Sequence, residues 1–311
     1  MDGVLVIDKP CGPTSHDVVA KIRRGLGIEK VGHTGTLDPM ATGVLPLVLG
    51  RGTKLAQYLT GGDKSYRATL QLGVTTQTLD AQGEVVLTRP TTGITPEAIE
   101  AALVPLRGTI HQVPPMYSAK KIEGKKLYEL ARKGVEVVRE AKVVTVHALT
   151  LVSVAGDEVV FDVTCSAGTY VRVLAQDIGE LLGCGAHLTA LRRTAAGPFG
   201  LDQAIELKSA LDDPQMARSH VLPLSHALMG LGRISVGRDI GRQIVRGHQL
   251  SVADLRGLDT PAFGLDEPLA LALDDGDLIA VARAEVASDE LPCARRDRRA
   301  LRTERVLVQA L

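Results

Sequence analysis

Residues 32–43 read Gly-His-Thr-Gly-Thr-Leu-Asp-Pro-Met-Ala-Thr-Gly and bring glycines, an imidazole, hydroxyls and an aspartate together in one short run. Glycine permits close approach of backbone to a ligand. Pro39 biases Asp38 toward extended geometry, so its carboxylate can be presented as a nucleophile or base. The same residues also suit an ordinary turn held by an Asx-type hydrogen bond. A phosphate cradle is not indicated, because neither Gly-x-x-x-x-Gly-Lys-Ser/Thr nor Gly-x-Gly-x-x-Gly occurs. None of the eight histidines forms His-Glu-x-x-His, and the four cysteines lack zinc-ligand spacing. There is no Gly-x-Ser-x-Gly elbow. Any catalysis is expected to rest on a carboxylate, with no metal and no cofactor.

Further residues could complete such a site. Aromatics are scarce, at five Tyr, three Phe and no Trp, so Tyr66 and Tyr170 stand out, although a strand tyrosine ordinarily packs in a core or interface. Arg172 falls at the expected start of a helix, where the macrodipole disfavours a cation. A buried carboxylate partner would explain it; a surface arginine is the plainer alternative. Residues 118–142 carry eight Lys or Arg against four Glu, a net of +4, with Tyr117 and Tyr128 interleaved and Pro114-Pro115 ahead. That pattern suits a solvated face, or a basic hairpin closing on a phosphate backbone.

The elements that would position these groups follow from periodicity. Residues 4–7 read as a buried strand and lead into the turn formers of 8–13. Thr14 or Ser15 can cap a helix whose Val18, Val19, Ile22 and Leu26 share one face, with Gly27 just past its end. Residues 44–49 read as a buried strand, and 66–72 alternate as a half-buried one. Pro96 opens a second helix after Thr95. Residues 143–154 and 158–165 alternate and are expected to pair around Ala155-Gly156-Asp157. A helix is expected within 168–182. Strands and helices do not alternate regularly, so the fold class is read as α+β with a mixed sheet.

The chain has 311 residues, long for one compact domain and comfortable for two, with 45% hydrophobic content. Lys plus Arg equals Asp plus Glu at 36 each, so a nucleic-acid surface would have to come from local segregation of charge. Residues 292–306 carry six Arg against two acids, whereas 251–280 carry seven acids and one Arg. Composition shifts near Gly230, which divides the chain into a domain at 1–230 and a smaller, mostly β domain at 231–311. The N-terminus lacks the regions of a signal peptide, and no apolar run is long enough to span a bilayer. A soluble, cytoplasmic protein without membrane association is expected, its thiols reduced and idle.

Taken together, six stretches across residues 3–194 resemble the TruB family of bacterial tRNA pseudouridine-55 synthases. They are 5–12 (Leu-Val-Ile-Asp-Lys-Pro-Cys-Gly), 32–45, 64–67 (Lys-Ser-Tyr-Arg), 112–121 (Gln-Val-Pro-Pro-Met-Tyr-Ser-Ala-Lys-Lys), 168–172 (Gly-Thr-Tyr-Val-Arg), and 183–188 followed by Leu191-Arg192-Arg193-Thr194. The resemblance implies a largely antiparallel synthase core with a thumb-like RNA-binding insertion at 107–142 and a PUA-like C-terminal domain. It implies that Asp38 is the essential aspartate, that Tyr66 packs against the target uracil and can take a proton from the sugar, and that Arg172 pairs with the aspartate. Leu191 would line the uracil pocket, Lys9 and Pro10 would support the site, and His33 would fill the space left by the extruded base. Tyr170, Lys64, Lys120 and Lys121 are counted with the substrate-binding residues. Asp38 could attack C1′ or C6, or remove the C2′ proton; the family leans to the last, through a glycal.

The reaction so implied isomerises uridine in the T-loop of tRNA. It needs no redox change or energy input, in keeping with the missing nucleotide and metal motifs. The partner would be the tRNA T-arm, met by a monomer without a guide RNA; the long 107–142 segment favours this stand-alone form over the guide-dependent cousin of box H/ACA particles. The rival class is an RNA-binding or tRNA-folding protein in which the catalytic site is secondary. Gln77 departs from the pattern, standing where the family often has an acid.

Overall fold

A computed structural model describes residues 1–308 apart from 119, 120, 123 and 132, with backbone only at 121, 122, 125, 126 and 128. Among the described residues, ten strands form one mixed sheet. Its main path runs, edge to edge, through Ile205–Glu206, Gly3–Lys9, Thr42–Leu49, Ala186–Ala196, Lys64–Leu72, Glu158–Cys165, Lys142–Ala155 and Gly108–Gln112. Val31–His33 and Phe199–Gly200 pair off this path. Only two pairings are parallel, Gly3–Lys9 with Ile205–Glu206 and Thr42–Leu49 with Ala186–Ala196. The sheet is therefore mixed and largely antiparallel, and its order brings together strands far apart in sequence.

Local chemistry accounts for the pieces that carry the site. Thr14 caps the Ser15–Gly25 helix in a reciprocal box: its hydroxyl accepts from the Asp17 N–H, and the Asp17 carboxylate accepts from the Thr14 N–H. Val18 and Ile22 are fully buried beneath it. Gly27, at φ 62°, takes the left-handed turn that ends it. Along Lys64–Leu72 the buried positions are Tyr66, Ala68, Leu70 and Leu72, so the core face is the even one. The Val171–Leu181 helix buries Val171, Leu174, Ala175 and Ile178, each large aliphatic contributing about 2 kcal/mol. It lies so close to the next strand that a Cβ on Gly179 would come within 2.2 Å of the Ala186 nitrogen.

The strands from 232 to 306 form a second sheet, in the order Gly232–Val236, Pro268–Leu273, Leu278–Ala284, Arg299–Val306 and Leu250–Ser251. It has its own core around Ile234, Ile244, Leu271 and Leu301. Ala270, Val281 and Leu307 form an apolar seam with Leu55 and Leu228, which belong to segments outside this sheet. Polar contacts rim that seam: Arg51 donates to the Leu307 carbonyl at 3.0 Å and Tyr58 to Glu304 at 2.7 Å. Part of the negative charge of 251–280 is neutralised locally, since Asp266 and Asp275 pair with Arg283 and Arg238. Among the described residues, no helix is long and apolar enough to cross a membrane.

Candidate active site

The loop bearing Asp38 is pinned from three directions. The Ser15 hydroxyl accepts from the Leu37 N–H at 2.8 Å and donates to its carbonyl at 3.1 Å. Lys9 has no exposed surface, and its ammonium donates to the carbonyls of Pro10 (3.0 Å), Pro39 (3.2 Å) and Ala41 (2.7 Å). On the far side Arg193, 1% exposed, donates to the carbonyls of Val44 (2.7 Å), Gly35 (3.1 Å) and Thr36 (3.5 Å). Gly43 is required here. Its φ is +97°, and a Cβ would come within 2.1 Å of the Arg193 carbonyl oxygen.

Asp38 meets its partner at the start of the Val171–Leu181 helix. Arg172 Nε lies 3.0 Å from Asp38 Oδ2, and its Nη1 lies 3.3 Å from Asp80 Oδ2. The same guanidinium donates to the carbonyls of Thr78 (2.9 Å) and Tyr117 (2.8 Å). Two carboxylates and two carbonyls thus surround a side chain that is 6% exposed, which explains a cation at a helix N-terminus. Gln112 clamps the residue before: its Oε1 accepts from the Tyr170 N–H at 3.0 Å and its Nε2 donates to the Tyr170 carbonyl at 3.3 Å.

These groups open on a cavity of about 300 Å³. Its lining includes Asp38, Tyr66, Tyr170, Arg172, Leu191 and Lys64, all singled out in the sequence, together with Ser118 and Arg193. The floor follows from strand register. Tyr66 pairs with Arg193 and Ala68 with Leu191, so Tyr66, Leu191 and Arg193 share one face of the sheet.

Asp38 opens to the cavity, keeping 38% side-chain exposure, while protein encloses its other sides. Burial pushes its pKa up; Arg172 and Lys9 oppose this, and Asp80 adds to it. The net direction is upward: burial outweighs the guanidinium. A base of raised pKa is better matched to a proton held on carbon or oxygen. Burial also raises the Tyr66 pKa, against the pull of Arg193. For Lys9, burial brings the pKa down to about 8.

The remaining residues singled out in the sequence lie elsewhere. Lys9 and Pro10 do not line the cavity; Lys9 acts beneath the Asp38 loop, and Pro10 is exposed. His33 also lies off the lining, in the Val31–His33 strand, with its ring edge-on to His16 at 5.2 Å. Lys121 begins a two-residue strand paired with Lys125–Lys126, and Lys120 lies outside the described residues. Gln77 contacts Glu84 at 3.2 Å; the acid that reaches Arg172 is Asp80, three residues on. Asp80 and Arg193 were not read from the sequence as site residues. The one local hint of Asp80 is that Leu79 before it takes a positive φ of 63°, a strained turn holding a buried acid.

Two family models match the chain. One is described as the TruB family pseudouridylate synthase N-terminal domain, over residues 23–171, and the other as the tRNA pseudouridylate synthase B C-terminal domain, over 172–229. A protein of Aromatoleum aromaticum named tRNA pseudouridine synthase B is 53% identical over 230 residues, 74% of each chain. One of the same name from Burkholderia pseudomallei is 47% identical over 267 residues, 85% of this chain and 87% of that one. Among solved structures, a Cbf5-Nop10-Gar1 complex aligns at a TM-score of 0.80 and 29% identity, covering 98% of this chain and 85% of that one. An H/ACA RNP bound to a substrate RNA containing 2′-deoxyuridine aligns at 0.78 and 26% identity, with shares of 98% and 85%.

Proposed function

This chain belongs to the TruB family of pseudouridylate synthases, and we propose that it converts the uridine at position 55 of the tRNA T-loop to pseudouridine. It is an enzyme of tRNA modification, as its relatives' names indicate. The observation that carries the residue-level reading is the Asp38–Arg172 pair, 3.0 Å apart, at a cavity walled by Tyr66 and Leu191.

The reaction exchanges a C–N bond for a C–C bond at the same sugar carbon. The target nucleotide leaves the loop and enters the cavity, at a cost of a few kcal/mol in lost stacking. Leu191 and Tyr66 offer an apolar wall and an aromatic face for the uracil. Asp38 then acts at the sugar, either on C1′ or on the C2′ proton. The N1–C1′ bond breaks with its electron pair passing to the uracil. The base turns within the cavity, and C5 bonds to C1′ as the Asp38–C1′ bond breaks or, in the second case, as Asp38 returns the proton to C2′. The C5 proton is then lost to solvent and N1 regains one. The raised pKa of Asp38 favours proton removal from C2′ over a role as a passive counter-charge.

The basic segment at 107–142 would close on the T-arm backbone. Its base is tied to the reacting centre, since Tyr117 accepts from Arg172 and Ser118 lines the cavity. Residues 1–230 form the catalytic unit in this reading, and 231–311 a PUA-like unit beside it. The protein works without a guide RNA, as the bacterial relatives' names support, and in this reading acts as a monomer in the cytoplasm. The test is incubation with an unmodified T-arm stem-loop carrying tritium at uridine C5. Forming the C5–C1′ bond releases the label to water; no release from folded protein would overturn the assignment.

A further inference from the structure

Arg193 holds a buried charge that the reaction described above does not use. It is 1% exposed, yet it lines the cavity. Arg172, also buried, is balanced by two carboxylates. Among the described residues, Arg193 pairs with no carboxylate at all; it donates to the carbonyls of Val44, Gly35 and Thr36. The Tyr66 side chain faces it across adjacent strands, and both line the cavity. A buried cation without a counter-charge costs several kcal/mol. Carbonyl dipoles offset part of that, but neutral donors would have served the carbonyls as well. Lys64 converges on the same place: a Cβ added to Gly35 would sit 3.5 Å from both Arg193 Nη1 and Lys64 Cε. The cavity therefore carries Lys64, Arg172 and Arg193 against Asp38 in its lining, with Asp80 behind Arg172.

We propose that Arg193, lining the cavity beside Tyr66, is a positioning residue that holds a positive potential where the uracil becomes negative as the glycosidic bond breaks. This rests on the pseudouridine reading. The charge balance is simple. When N1 leaves C1′ with the bonding pair, the freed uracil is an anion, with charge shared by N1 and the two carbonyl oxygens. This holds whether Asp38 attacks C1′ or removes the C2′ proton. In the second case the proton goes to Asp38, the C2′ electrons form the C1′–C2′ double bond, and the pair departs with the base. A preorganised cation near that site stabilises the transition state more than the neutral substrate. The buried charge is then uncompensated in the free enzyme and compensated during reaction.

The test separates charge from scaffolding with two variants and two substrates. Arg193→Gln keeps N–H donors for the carbonyls but loses the charge; Arg193→Lys keeps the charge. Single-turnover rates of N1–C1′ cleavage are measured on T-arm stem-loops carrying uridine or 5-fluorouridine at the target. Fluorine withdraws electrons and makes uracil a better leaving anion. Arg193→Gln is expected to lose about 10²-fold on uridine and at least about fivefold less on 5-fluorouridine, as a weaker demand for stabilisation requires. Arg193→Lys should keep the wild-type ratio between the two substrates. Equal losses on both substrates for Arg193→Gln would show that Arg193 only braces the loop and would overturn the proposal. So would a wild-type ratio in Arg193→Gln with an altered one in Arg193→Lys. If the wild-type enzyme makes no pseudouridine at all, it is the functional reading that fails.

Discussion

Replacing Arg172 with Met removes the hub on which four segments meet. The apolar stem is retained in volume, so the loss is electrostatic. Asp80, with a side chain 6% exposed, is left buried without its cation, which costs about 3–5 kcal/mol. The carbonyls of Thr78 and Tyr117 lose their donors, adding about 1 kcal/mol between them once partial rewetting is allowed. A loss of about 4–6 kcal/mol is expected against a typical total of roughly 5–15, so the variant should fold but melt early. Adding Asp80→Asn removes the orphaned charge, and the double variant should regain about 2–3 kcal/mol over Arg172→Met. The urea midpoint reads this directly. Turnover should not return with stability, because the strongest influence lowering the Asp38 pKa is still missing; the double variant is expected to stay at least about 10²-fold slow. If the double variant is instead less stable than Arg172→Met, by whatever Asp80→Asn costs alone, the ion-pair hub is not what holds these segments.

Other outcomes follow from the same contacts. The acid limb of the rate profile should lie above pH 3.8, since burial raises the Asp38 pKa. A carboxyl raised in the folded state contributes stability below its unfolded pKa and loses it as pH rises through the folded one. Asp38→Asn, which mimics the protonated form, should therefore melt no lower than wild type at pH 7. Lys9 titrates at about 8, and only its ammonium can donate to three carbonyls; single-turnover rates should fall as pH passes that value, and a flat profile to pH 9.5 would contradict this. Gly43→Ala meets both a positive φ and the Arg193 carbonyl, and chemical denaturation should show a loss of at least about 2 kcal/mol.

What the sequence disclosed was whatever local pattern encodes. Thr14 and Asp17 mark a helix start, and the alternation of Tyr66, Ala68, Leu70 and Leu72 gives the buried face of a strand. Six residues picked by type and motif, from Asp38 to Leu191, line one cavity. Asp80 escaped because a buried acid in an irregular turn has no periodicity. Arg193 escaped for a different reason. It sits beside Arg192, which pairs with Asp8 at 2.6 Å and is far more exposed. Nothing local says which of two adjacent arginines faces inward; that is set by pairing with Gly43 and Tyr66, residues 150 and 127 positions away in the chain. Sheet order was hidden likewise, since the neighbours of Ala186–Ala196 are Thr42–Leu49 and Lys64–Leu72.

The Asp38 carboxylate is the group that acts on the sugar, in a site whose other residues hold the base and balance its charge. Wild type and Asp38→Asn, each shown to be folded, can be incubated with the same T-arm stem-loop, and both pseudouridine and bound RNA measured. Wild type should convert the target uridine, while Asp38→Asn binds the RNA with comparable affinity and makes no product. Turnover by Asp38→Asn would contradict the account at its core.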